Sequence, residues 1–568
     1  MRLALRGASL RGPFFCLLLL LALPLRAQAP AEAVASAHPL ATEAGLEILA
    51  AGGNAFDAAV AVSAALAVVE PYGSGLGGGG FWLLHRASDA REVMIDGRER
   101  APLAAHRDMY LDAQGEVLPG LSVDGALAAG IPGEPAALAH LAAHYGRLPL
   151  ARSLAPAVRL AREGFPVDAE YRRMAGWRLG ALQASEAASD QFLLDDQVPP
   201  EGHRLRQPQL AKTLDALAEG GRQGFYAGSV AQRLVDAVQQ AGGIWTLRDL
   251  AEYRVVEREP VRGGYRGLQI VSAAPPSSGG VVLVEMLNIL AGFELGGLGA
   301  VERTHLLVEA MRRGYRDRAD YLGDPDFVDM PLERLLHPFY AQGLARDIRL
   351  GEGGTSLVPG PPLPVASEGR NTSHFSILDR AGNRVAATLS INYPFGAGFV
   401  AAGTGVLLND EMDDFSARPG APNVYGLVGG EANAIAGGKR MLSSMTPTFV
   451  ESEEGVAILG TPGGSRIISM LLQAVLGLAE GQGPGAWVSA PRVHHQYLPD
   501  VVELEPGALG DAERQALAAM GHRLKPLEDR YGNMQVVYWN RRSGEVSAVS
   551  DPRGIGSAVV RPAPAAAR

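Results

Sequence analysis

In the stretch Asn371-Thr372-Ser373-His374-Phe375-Ser376, residue types and placement together would support covalent chemistry. Upstream, Val358-Pro359-Gly360-Pro361-Pro362-Leu363-Pro364 cannot hold a helix or a central strand, because proline lacks the amide donor and restricts its predecessor. Downstream, alternation predicts strands over 374–379 and 384–391, joined by a turn at Ala381-Gly382-Asn383. A threonine at this junction becomes a new N-terminus if the bond between Asn371 and Thr372 is cut. Its hydroxyl then lies beside its own α-amine, a weak nucleophile next to a built-in base. Without cleavage the same residues read as the ordinary start of a strand.

Other clusters are weaker taken singly. Gly73-Ser74-Gly75-Leu76-Gly77-Gly78 has the glycine spacing of a dinucleotide loop, but a helix and Pro71 precede it and a strand-like 81–85 follows. That inverts the strand-then-helix context which brings a helix N-terminus to a pyrophosphate, so close backbone packing is the better reading. Asp410, Glu411, Asp413 and Asp414 lack calcium-loop spacing and read, as a bare motif, as a solvated turn. His494-His495 lacks a companion metal motif and reads as structural. Gly460-Thr461-Pro462-Gly463-Gly464-Ser465-Arg466, between a buried strand and an apolar helix, would expose backbone N–H groups for an oxyanion hole or a phosphate. Ser443-Ser444 serves equally well as a ligand-binding hydroxyl pair or as a turn cap.

These clusters sit in a chain of 568 residues, long enough for roughly two to four domains or one large two-part unit. A net charge of −10 argues against a nucleic-acid footprint. The first 29 residues read as a secretory signal: Arg2, Arg6 and Arg11 precede an apolar core from Phe14 to Leu25, and Ala27-Gln28-Ala29 gives a small-x-small cleavage site. The sole cysteine, Cys16, lies inside that segment, so the mature chain is expected to have no thiol, disulfide or thiolate metal site. Export to the periplasm or the exterior, with no stable membrane anchor, is the corresponding expectation.

The elements that must position the junction fall into three regions. Residues 41–69 read as two helical pieces broken at Gly52-Gly53-Asn54, the second apolar nearly all round and hence buried. From Pro132 to about Leu350 helical patterns dominate, with clear examples at 135–145, 150–163 and 304–321. After Thr372 strands take over, at 455–459, 501–504 and 533–538, interrupted by helices near 467–479 and 511–520. Strands with segregated helices predict a layered α/β sandwich rather than regular βαβ winding.

Together these motifs resemble the γ-glutamyltransferase (γ-glutamyltranspeptidase) family of N-terminal nucleophile hydrolases, and the resemblance spans nearly the whole mature chain. It rests on residues 34–70, SGLGGGGF, DGRERAP, AAPPSSGG, ADYLGDPDF, NTSHFSILD, LLNDEMDDFSARPGAPNVYGLVGG, LSSMTPT, TPGGSR and SDPR, in the family's order. It implies an α+β, four-layer αββα sandwich. It also implies a precursor that cuts itself between Asn371 and Thr372 into a large subunit (30–371) and a small subunit (372–568), which remain a heterodimer. Thr372 matches the family's nucleophile. Ser390 matches its supporting hydroxyl, where threonine is usual, and Gly463 and Gly464 match its oxyanion hole. Arg98, Ser443 and Ser444 match the holders of the γ-glutamyl α-carboxylate, and Asn392, Glu411 and Asp414 those of the α-ammonium. Tyr425, in 419–430, matches the lid of the bacterial enzymes. The implied activity is cleavage of the γ-glutamyl amide of glutathione and related compounds, with transfer to water, amino acids or dipeptides. No metal or organic cofactor is implied. The alternatives are a cephalosporin or glutaryl acylase of the same fold, and a non-catalytic exported binding protein.

Overall fold

The computed structural model of the chain describes residues 29–356 and 372–563. Residues 1–28 of the expected secretory signal (1–29), the Pro/Gly-rich linker and Asn371 lie outside the described residues.

Two antiparallel sheets face each other. The first runs, in spatial order, Ser557–Pro562, Ala31–Ser36, Ser373–Leu378, Arg384–Ser390, Gly79–Arg86, Arg91–Gly97 and Val256–Arg258. The second runs Val546–Ser550, Gln535–Asn540, Gly455–Gly460, Thr448–Glu451, Leu268–Ser272 and Val261–Tyr265. Period-2 alternation explains the layering. On the strand after Thr372, Phe375 and Ile377 enter the core that contains helices Pro39–Ala50, Ala55–Val69 and Leu150–Glu163. Leu378 enters the core shared with the second sheet and with helices Gly279–Leu290 and Ile467–Ala479. The Ser376 hydroxyl crosses the same gap to donate to the Gln535 carbonyl at 3.1 Å. The result is the expected α+β sandwich of helices, sheet, sheet and helices. Burying side chains such as Phe375 and Ile377 contributes about 1.5–3 kcal/mol each.

Most expected elements form within a residue or two of their anticipated ends. The second early helix, Ala55–Val69, is buried along its whole length and starts with a capping box between Asn54 and Asp57. Three features differ. Ala31–Ser36 is alanine-rich, a weak strand former, yet pairs on both sides, so its central place in the sheet overrides propensity. Val256–Arg258, Val261–Tyr265 and Leu268–Ser272 interrupt the helical middle region; the first two form one edge of each sheet, and the third pairs inside the second. Val502–Leu504 belongs to a separate three-stranded sheet rather than to the sandwich.

The glycine run at 73–78 packs backbone against backbone, as the inverted context suggested. A Cβ on Gly77 would stand 1.9 Å from the Leu407 carbonyl oxygen, and one on Gly78 2.1 Å from that of Ser390. Gly78→Ala is therefore expected to push the Ser390 strand end away and destabilise the fold by at least about 1–3 kcal/mol. An unchanged thermal midpoint for this variant would contradict that packing.

Candidate active site

Strand register places the candidate nucleophile. Leu389 pairs with Ser373, so the next step along the ladder sets Thr372 opposite Ser390. Their hydroxyls are 3.3 Å apart, and Ser390 Oγ accepts the Asn392 backbone N–H at 2.8 Å. Thr372 is buried and has φ +99°, a left-handed conformation that costs a β-branched residue about 1–3 kcal/mol. The strain therefore sits at the first described residue after the linker.

The narrow pocket beside Thr372 is lined by Arg98, Ser390, Asn392, Glu411, Asp414, Tyr425, Ser443, Ser444 and Gly464, with Leu427, Met445, Ser465 and Ile467. Every candidate site residue among the described ones thus lines one pocket, except Gly463. That glycine precedes Gly464 in the turn between strand Gly455–Gly460 and helix Ile467–Ala479. About 20 Å³ of the pocket is open, space for about one water molecule.

Arg98 organises the charges. It follows strand Arg91–Gly97 directly, and its backbone N–H is held by Asp96 Oδ1 at 3.0 Å. Its Nη1 donates to Glu411 Oε2 at 2.5 Å, its Nη2 to Asp414 Oδ2 at 2.5 Å, and its Nε to the Met441 carbonyl at 3.2 Å. A third carboxylate oxygen, of Glu99, lies 3.5 Å from Nη1. Glu411 belongs to a short 3-10 turn, Glu411–Asp414, in which Glu411, Met412 and Asp413 are buried. The acidic run is thus no solvated turn: Asp410 accepts the Tyr393 N–H, and Asp413 accepts from Ser122 and from the Val424 N–H. Burial raises the Glu411 and Glu99 carboxyls above the ordinary range even though Arg98 opposes it. Burial, with no carboxylate to oppose it, also lowers the His374 imidazole to about 3. His374 shares hydrogen bonds with Thr388 Oγ1 at 2.8 Å and Ser376 Oγ at 3.3 Å, which leaves it a neutral structural group. Among the described residues the pocket lining contains no histidine, lysine or cysteine.

Tyr425 closes one side. Its hydroxyl donates to the Asn392 carbonyl at 2.8 Å, and its ring lies where a Cβ on Gly464 would be, 2.8 Å from that ideal position. Asn392, at φ +71°, directs its side-chain N–H groups to Asp410.

This arrangement can be set beside known proteins. The family profile described as Gamma-glutamyltranspeptidase matches residues 41–561. The glutathione hydrolase proenzyme of Escherichia coli (strain K12) is 42% identical over 529 residues, which is 92% of this chain and 90% of that protein. The chain belongs to the γ-glutamyltranspeptidase family. Among solved structures, the cephalosporin acylase from Bacillus halodurans superposes with a TM-score of 0.81 at 30% identity, covering 94% of this chain and 96% of that one. The Helicobacter pylori γ-glutamyltranspeptidase superposes with a TM-score of 0.55 at 40% identity, over 56% of this chain and 92% of that one.

Behind the Ser444 wall of this pocket the structure adds a cation that sequence reading missed. Arg318, on helix Ala300–Tyr321, is buried; its Nε donates to Ser278 Oγ at 3.0 Å and its Nη2 to Ser444 Oγ at 3.4 Å. Among the described residues no carboxylate lies within 4.0 Å of its guanidinium, and burial pulls its pKa below the usual arginine value. An arginine in the last turn of a long helix reads in sequence as a partner for the helix dipole, so no local signal marked it. His494 and His495 are structural, held by Ser469 and Gln496 and by Asp500 respectively. Among the described residues two groupings of metal-ligand type lie elsewhere, His305–Glu309–His522 and His85–Glu92–Glu451. Arg312 and Arg313 already pair with Glu309, Arg262 with Glu92, and Arg384 and Arg541 with Glu451, so ion pairing accounts for all three carboxylates.

Removing the guanidinium of Arg98 strands the acids around it. Arg98→Met is expected to lose roughly 3–5 kcal/mol of stability at alkaline pH. The unpaired carboxyls then titrate higher in the folded than in the unfolded state, so the deficit shrinks as pH falls and they take up protons. Denaturation at pH 8 and pH 5 checks this; an equal loss at both would contradict it.

Proposed function

We propose that the chain is a self-processing γ-glutamyltransferase and glutathione hydrolase with Thr372 as its nucleophile. The observation that carries this reading is the placement of the Thr372 hydroxyl 3.3 Å from Ser390, in a pocket lined by the Arg98 guanidinium and acidic side chains, with Arg318 behind Ser444 and no imidazole or amine among its described lining side chains. A hydroxyl there needs a base. Cleavage between Asn371 and Thr372 creates one: an α-amine with a reference pKa of about 7.7–8.0, substantially neutral near pH 7–8. The left-handed φ of Thr372 supports the same site of cleavage, because that torsion ceases to exist once the bond is cut.

In the proposed reaction the Thr372 hydroxyl attacks the preceding carbonyl and the resulting ester is hydrolysed. This leaves a large subunit (30–371) and a small subunit (372–568) as a heterodimer. Thr372 then attacks the γ-carbonyl of glutathione or a related γ-glutamyl compound and releases the amine. Water, an amino acid or a dipeptide removes the γ-glutamyl group from the ester. Gly463 and Gly464 would hold the oxyanion; losing one such donor costs roughly 2.7–4 kcal/mol of transition-state stabilisation.

The pocket's charges suit a zwitterionic head. Without substrate, Arg98 is neutralised by Glu411 and Asp414. An α-carboxylate arriving at Arg98, Arg318, Ser443 and Ser444 would take over part of that pairing, freeing acid for the α-ammonium. The open volume is smaller than a γ-glutamyl head, and in this reading 419–430, with Tyr425, would move for entry. The proposed site of action is outside the cytoplasm; among the described residues no helix is long and apolar enough to cross a membrane.

An acylase taking glutaryl side chains is the competing reading, favoured by the likeness to the cephalosporin acylase. A glutaryl group has no ammonium to engage Asp414. The chain is therefore expected to turn over γ-glutamyl-p-nitroanilide far faster than glutaryl-p-nitroanilide, and the reverse preference would favour the acylase. Asp414→Ala should lower kcat/KM for the γ-glutamyl donor by roughly 2–5 kcal/mol in transition-state terms, through loss of a desolvated charge partner. Unchanged kcat/KM would remove Asp414 from the pocket chemistry. Thr372→Ala should give a single uncut chain on a denaturing gel, and normal two-band processing in that variant would reject the nucleophile.

A further inference from the structure

We propose that Glu70 is a positioning residue for the nucleophile, acting through the hydroxyl of Ser373; the inference rests on the reading of Thr372 given above. Alternation along the strand sends Thr372 toward the pocket and Ser373 to the opposite face, among apolar side chains of the helical layer such as Phe375 and Ile377. A serine hydroxyl on that face needs a partner. Glu70 supplies it: Ser373 Oγ donates to Glu70 Oε2 at 2.5 Å and lies 3.0 Å from Ser74 Oγ. Glu70 ends helix Ala55–Val69, and its carbonyl accepts the N–H groups of Gly73 and Ser74, so a tight turn wraps Ser373. The wrap is close enough that a Cβ on Gly73 would stand 2.8 Å from Ser373 Oγ.

No cation pairs with Glu70 among the described residues. Burial pushes its carboxyl up to about 8, so the group sits there largely uncharged at neutral pH. An uncharged amide can therefore stand in for it. The chemistry also needs such an anchor. One peptide separates Ser373 from Thr372, whose left-handed conformation must be held from outside. After cleavage the upstream tether is gone, and the backbone ladder to Leu389 and the side-chain clamp to Glu70 are what fix the new N-terminus. A displacement of about 1 Å at a reacting group is enough to lower a rate by roughly 10²-fold. The γ-glutamyl head site lies on the other face of the sheet and does not include Glu70.

The test compares wild type, Glu70→Ala, Glu70→Gln and Ser373→Ala for processing time on a gel, and for kcat and KM with γ-glutamyl-p-nitroanilide. The clamp predicts that E70A and S373A lower kcat at least about tenfold and slow self-cleavage, with KM within about twofold. E70Q, which keeps an acceptor for Ser373 Oγ, should restore both to within about threefold of wild type. A cut, active wild type whose E70A variant keeps its kcat overturns the clamp alone, as does an E70Q variant no better than E70A. If E70A does not accumulate folded, S373A decides, and unchanged kcat there overturns the clamp. A wild-type chain that stays uncut and inactive overturns the parent reading, and this one with it.

Discussion

The register between strands Ser373–Leu378 and Arg384–Ser390 is the constraint on which the candidate site depends. It sets Thr372 against Ser390 and turns the two hydroxyls into the same cleft. A slip of one residue would send Thr372 into the helical layer and Ser373 into the pocket, because side chains alternate with a period of two. Several buried features pin that register. Phe375, Ile377, Val385 and Leu389 pack in one core, while Leu378 and Ala386 pack in the other. His374 is fixed by Thr388 across the ladder, and Gly460 approaches so closely that a Cβ there would stand 2.2 Å from the ring. The pairing is thus enforced from both faces, and the end of the strand is where its precision is used.

Electrostatics provides the second layer of the account. Three acidic groups surround Arg98 in a region almost without solvent, and a second guanidinium, Arg318, approaches through Ser444. Such a cluster is expensive to assemble and contributes little to folding, since desolvation offsets the attraction. Its physical logic is that of a site preloaded with both signs. On the function proposed above, a ligand carrying one ammonium and one carboxylate would replace contacts that Arg98, Glu411 and Asp414 make with one another, whereas a ligand with only the carboxylate would leave an acid unpaired.

Much of this was legible in the residues. The strand alternation at 374–378, the punctuation at Gly52-Gly53-Asn54 and the apolar periodicity of 467–479 are local signals, and the elements formed where those signals lie. What was not legible depends on partners distant in sequence. Ala31–Ser36 becomes a strand only because two others, more than 300 residues away, flank it. The acidic run at 410–414 reads as a solvated turn until Arg98, Ser122 and Tyr393 supply its partners. Arg318 lies outside the matched motifs and Glu70 closes one without a marked role; each acquires meaning only when the fold places a serine hydroxyl in front of it.

A threonine that serves as nucleophile with its own α-amine as base requires that the active protein be two chains. N-terminal sequencing of the purified, active protein tests this directly. The account predicts two sequences in equal amounts, one beginning near residue 30, where the expected secretory signal ends, and the other beginning Thr372-Ser373-His374. Full activity in material that yields a single N-terminus and one unbroken chain would contradict it.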